Sequence, residues 1–164
     1  MKAYLEIDRI RRECPCVTGW NKLLRTLRGR QVTSLVEILL SNGHHDALWA
    51  VQALPRDMVN SLAASILSQL ESGPMSDTAR LWVNDILARS RAGQLDLVRE
   101  CTGWSNEVEC AVNCLQTMTS TRDEEAAIYV HNAVIDLCRA RDCNDYTIRD
   151  AVMEIFQRWE DSFP

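Results

Sequence analysis

Glycine is scarce in this chain, with six residues scattered singly over 164 positions. A phosphate-cradling loop needs several glycines close together, so neither a P-loop nor a dinucleotide-binding fingerprint is present. Long apolar runs are missing too, and none approaches the roughly 18 residues that would span a bilayer. Residues 1–14, MKAYLEIDRIRREC, mix charged and apolar side chains without an apolar block leading to a cleavage site. They do not read as a secretory signal, so a cytoplasmic protein with no membrane association is expected. No G-x-S-x-G nucleophile elbow occurs. Cys14-Pro15-Cys16 is a C-x-C and not the C-x-x-C of thioredoxin-like redox sites. Alternating strand patterns and an Asn-Gly hairpin between two such runs are also lacking.

What is there is ordinary for a soluble domain: 46% hydrophobic and 25% charged residues, at a length that buries a core without metal or disulfide staples. A single all-α domain covering residues 1–164 is expected. The seven cysteines (Cys14, Cys16, Cys101, Cys110, Cys114, Cys138 and Cys143) are odd in number. In a reducing cytosol they are expected as free thiols that pack as small hydrophobes.

The net charge of −5 conceals an asymmetry. Residues 1–30 carry eight basic and three acidic residues, whereas the remainder carries ten basic and twenty acidic ones. An acidic body suits a basic protein partner and argues against nucleic acid. The basic clusters Arg9–Arg12 and Lys22–Arg30 could touch phosphate, yet only Trp20 interleaves with them. Mild acidity for solubility alone explains the balance equally well.

Helical periodicity runs through most of the chain. Ile148, Ala151, Val152, Ile155, Phe156 and Trp159 recur as one apolar stripe. Met58, Val59, Leu62, Ala63 and Ile66 form another, as do Val108, Ala111, Val112 and Leu115, and Ala127, Val130, Val134 and Leu137. Asn106 with Glu109, and Thr121 with Glu124, have capping-box spacing. Leu54-Pro55 and Ser72-Gly73-Pro74 are breaks. About eight short helices follow, arranged as an irregular bundle or a short helical-repeat-like array.

The polar stretch Ser41-Asn42-Gly43-His44-His45-Asp46 can be read in three ways. As a turn, Asn42-Gly43 stops one helix and Asp46 caps the next. As a contact surface, Asn42, His44 and His45 face a partner. A metal or acid–base site would need further ligands at defined spacing, and no second cluster answers it. Cys110 and Cys114, an i, i+4 pair, could join Cys14 and Cys16 only across roughly 95 residues, without the compact knuckles of zinc sites. No metal and no cofactor are therefore expected. His131 reads as a boundary residue of its helix, and Asp123, Glu124 and Glu125 lie in a first helical turn, where negative charge offsets the helix dipole. Of the five tryptophans, Trp49, Trp82 and Trp159 fall on apolar stripes and are expected in the core. Trp20 and Trp104, each after a glycine, are candidates for interface anchors as well as for corner packing.

Two segments carry a family resemblance: Cys16-Val17-Thr18-Gly19-Trp20-Asn21-Lys22-Leu23-Leu24, then Ile38 through Ser41-Asn42-Gly43-His44-His45-Asp46-Ala47-Leu48-Trp49-Ala50. The pair resembles the start of the type 5 immunity proteins of bacterial toxin systems, with their G-W-x-x-L-L segment followed by I-L-x-S-N-G-x-x-D-A-L-W. The likeness covers residues 14–54. It implies a small all-α protein that binds and neutralises a toxin made alongside it, and it brings no catalytic residues. The expectation is thus a non-enzymatic, protein-binding inhibitor. Its contact residues are expected among Asn42, His44, His45, Trp104, Asp123, Glu124 and Glu125. The alternatives are a phage or mobile-element inhibitor of a host defence complex, and a small metal- or thiol-dependent enzyme using Cys14, Cys16, His44 or His45.

Overall fold

The computed structural model of the chain describes residues 3–72, 81, 84, 130–135, 138 and 147–163. Their order is β1 (Leu5–Glu6), α1 (Ile7–Arg12), α2 (Val17–Leu27), β2 (Val32–Thr33), α3 (Leu35–Asn42), α4 (His44–Ala50), a 3-10 turn (Val51–Ala53), α5 (Arg56–Ser72) and α6 (Ile148–Asp161). Residues 130–135 are helical as well. The expected all-α class is what the chain adopts. The stripes at 108–115 and the caps at Asn106 and Thr121 lie outside the described residues.

Helix α6 is the central stave. Its Ala151, Val152, Ile155, Phe156 and Trp159 are buried, as their spacing predicts. They meet α3, α4 and α5. From α5 the same core receives Val59, Leu62, Ala63 and Ile66, and from 130–138 it receives Val130, Ala133, Val134 and Cys138. The Trp159 indole N–H finds a partner in the Ser61 hydroxyl at 3.2 Å, which removes the cost of burying a donor. Phe163 meets the same indole edge-on, with ring centroids 5.4 Å apart.

Two small strands depart from the sequence reading. Leu5 pairs with Thr33 and Glu6 with Val32 in an antiparallel ladder, extended by a bond from the Ile7 N–H to the Gln31 carbonyl at 2.9 Å. Two residues per strand are too few for alternation to show as a pattern. Between them α2 ends at Arg28 in the left-handed region (φ 50), and Gly29 follows at φ 88. These two positive φ values turn the chain back towards β1.

The N-terminus of α3 is closed from the far end of the chain. Ser34 caps it locally, its hydroxyl accepting from the Glu37 N–H at 3.2 Å. The Val36 N–H donates instead to the Glu160 carboxylate of α6 at 3.0 Å. Glu37 has the position of a capping-box glutamate, but its carboxylate takes a 2.7 Å bond from Arg30 and a 3.1 Å bond from the Thr33 hydroxyl. Burial raises the pKa of Glu160; the hydrogen bonds from Val36, Ser34 and Leu35 pull it down, and the charge of Glu37 adds to the rise. With the folded pKa above the unfolded one, this group's contribution to stability is full below the ordinary glutamate value of 4.5. It is lost as pH rises through the folded value. Glu160→Gln keeps an acceptor for Val36 and removes the charge, so it should abolish that pH-dependent loss. Glu160→Ala leaves the N–H unpaired and should cost about 1 kcal/mol. Urea denaturation of both variants from pH 4 to 7 checks the pair of outcomes.

Candidate functional site

The two sequence segments that carry the resemblance meet at one corner, where α2 packs on α3 and α3 on α4. Cys16 caps α2, its Sγ accepting from the Gly19 N–H at 3.3 Å. Along α2, Cys16, Gly19, Trp20 and Leu23 follow at i, i+3, i+4 and i+7, a spacing that places them on one face. Helix α3 stops after Asn42 because Gly43 takes φ 104, a conformation that glycine adopts without strain. Its N–H still bonds back to the Leu39 carbonyl at 3.0 Å.

The expected stop at Asn42-Gly43 is thus present, but the expected cap at Asp46 is not. Helix α4 begins at His44, with Gly43 in the cap position and no side-chain cap. Asp46 falls in the first turn, where its carboxylate serves a tertiary contact. The Asn42 Nδ2 group donates to Asp46 Oδ2 at 2.8 Å and to the Gly19 carbonyl at 2.8 Å. Asn42 Oδ1 accepts from the Ser41 hydroxyl at 2.8 Å. One amide therefore ties α2, α3 and α4 together. Helix α2 approaches so closely that a Cβ on Gly19 would lie 2.7 Å from Asp46 Oδ2 and 3.2 Å from Cys16 Sγ.

Beside this knot lies a half-open cavity of about 180 Å³. Its floor is apolar and buried, made by Ile10, Leu23, Ile38 and Ala50. Its rim holds Pro15, Cys16, Trp20, Asp46 and Trp49. Trp49, expected in the core, is half-buried at this rim, because the cavity lies between it and α2. Trp20 also borders a second, more polar cleft of about 330 Å³ that includes Asp8, Arg11 and Arg30.

The histidines gather nearby. His44 and His45 open α4 with ring centroids 4.1 Å apart at 37°; His44 is half-buried and His45 exposed. Burial lowers the pKa of His131, and the charge of His45 lowers it further. His131 itself is half-buried on its helix. A histidine whose folded pKa is depressed contributes stability that is present above the unfolded value of 6.5 and lost as pH falls through the folded value. Wild-type melting temperature should therefore drop between pH 7.5 and 5.5 more than that of His131→Gln, measured by circular dichroism.

Among the described residues no group of three or more His, Cys, Asp or Glu side chains is placed to hold a metal ion. Cys14 and Cys16 are exposed free thiols, and Cys138 is buried. Of the contact residues expected from sequence, Asn42, His44 and His45 lie together at this corner, Asn42 with its polar atoms turned to its own chain. Trp104, Asp123, Glu124 and Glu125 lie outside the described residues, as do Cys110 and Cys114. No helix among the described residues is long and apolar enough to cross a membrane. Compared with protein-family models, curated proteins and solved structures, the chain matches none.

Proposed function

We propose that this chain is a non-enzymatic, cytoplasmic inhibitor that binds a protein partner through the α2–α3–α4 corner, in the manner of a bacterial toxin's immunity protein. The observation that supports the reading is the convergence at that corner. Gly19, Asn42 and Asp46, taken from both segments that resemble type 5 immunity proteins, are tied into one knot, and Trp20 and Trp49 from the same segments line the cavity beside it. The Asn42 amide is spent on its own chain, which leaves a pre-organised surface, and little ordering entropy is then lost on binding. The mostly acidic remainder of the chain would steer a basic partner and make association sensitive to salt.

The test is capture followed by a growth assay. Tagged protein is incubated with lysate of its native host, washed at low and high salt, and the bound protein identified by mass spectrometry. The reading expects one stoichiometric, salt-released partner that arrests bacterial growth when expressed alone, with growth restored by co-expression of this chain. A partner belonging to a host defence complex would replace the toxin by the second target class. Absence of any stoichiometric partner, together with stoichiometric zinc in the purified protein, would overturn the inhibitor reading in favour of thiol or metal chemistry.

A further inference from the structure

Among the described residues that line the cavity beside the knot, one is charged, Asp46. Its Oδ2 is held by Asn42, and among the described residues no cation of the chain pairs with the carboxylate. Two indoles, those of Trp20 and Trp49, share the rim with it, and the floor is aliphatic. None of the many arginines of α1 and α2 lines this cavity. An anion would therefore meet Asp46 with no cation among the described lining residues to offset the repulsion. A purely apolar group would leave that carboxylate without a new donor while excluding its water.

We infer that this cavity seats the arginine side chain of a basic protein partner, with the guanidinium against Asp46 and between Trp20 and Trp49. The aliphatic stem of such a side chain suits the floor of Ile10, Leu23, Ile38 and Ala50. Its planar head combines charge-assisted hydrogen bonds to a carboxylate with attraction to indole rings. The volume of about 180 Å³ is of side-chain scale. This inference rests on reading the corner as a contact surface, and it names the chemistry of what the corner contacts.

The experiment titrates the full chain with N-acetyl-arginine-N-methylamide and, separately, with its citrulline counterpart. Citrulline keeps the shape, but a carbonyl oxygen replaces one nitrogen, so it lacks the charge and two of the N–H donors. The indole N–H resonances of Trp20 and Trp49, assigned with Trp20→Phe and Trp49→Phe, are the readout. Saturable shifts with the arginine probe are expected, with citrulline at least about tenfold weaker. Asp46→Asn should remove that difference, since an asparagine there still accepts from Asn42 while carrying no charge. Should Asp46→Asn fail to fold, the comparison of the two probes on the wild type stands alone. Equal shifts with both probes, or none up to the solubility limit of the arginine probe, would overturn the inference. A silent cavity in a protein that still captures its partner would overturn this site and leave the inhibitor reading standing; an arginine-binding cavity in a protein that captures nothing would do the reverse.

Discussion

Replacing Trp159 with alanine is expected to destabilise the protein by about 3–5 kcal/mol, the range for emptying a large aromatic site in a packed core. Trp159 is wholly buried, and α6 through it touches the elements that carry most of the described core. The substitution also strands the Ser61 hydroxyl, which receives the indole N–H, and removes the edge-on partner of Phe163. Because whole domains are stable by only about 5–15 kcal/mol, a large share of the molecules would be unfolded under mild denaturant. Trp159→Phe retains most of the apolar volume and loses the hydrogen bond, so its cost should be clearly smaller. Urea denaturation, followed by circular dichroism, separates the two; equal costs would mean that the hydrogen bond outweighs the volume.

The second large effect is expected at Gly19. Alanine in a helix is favoured over glycine by about 1 kcal/mol, which works against the close contact at this position. An added Cβ would sit 2.7 Å from Asp46 Oδ2, an atom at the end of a short side chain held by Asn42. Moving Asp46 forfeits a hydrogen bond worth about 1 kcal/mol. Gly19→Ala should consequently be near neutral, the gain in propensity cancelling the displacement. Gly19→Val enjoys no such offset, since its branched side chain fits the helix less well and places more atoms in the same gap. It should cost about 2 kcal/mol or more. The mechanism is checked by a cycle: Gly19→Val combined with Asp46→Ala should cost less than the sum of the two single changes. Simple additivity would locate the strain elsewhere.

The readable parts of the fold were those in which one element states its own rule. Ile148 to Trp159 repeat at helical spacing, and α6 buries that stripe. Asn42-Gly43 marks a stop because few other residues adopt φ 104, and α3 ends there. Contacts between elements were not readable in the same way. Asp46 looked like a cap because it precedes Ala47-Leu48-Trp49, yet its partner is Asn42, whose amide also reaches Gly19, 23 residues earlier. Nothing local announces that Glu160 closes α3 from 124 residues away, or that two-residue strands pair across α1 and α2.

The candidate site was partly visible by the same logic. Cys16, Gly19, Trp20 and Leu23 share a helical face in the sequence itself, and Asp46, Trp49 and Ala50 share another. That the two faces enclose a cavity depends on the packing of α2 and α4 against α3, which periodicity does not encode. His131 is a similar case: its spacing places it on a helix, and the burial that lowers its pKa depends on how that helix packs.

A contact surface at the α2–α3–α4 corner requires that variants of that corner lose the captured partner. Wild type, Asp46→Asn and His45→Glu, first shown to melt alike, are tagged and compared in the same host lysate. One stoichiometric partner is expected on the wild type, released by high salt, and at least about tenfold less of it on Asp46→Asn. Equal retention by all three proteins would contradict the claim and place the contact on another face of the molecule.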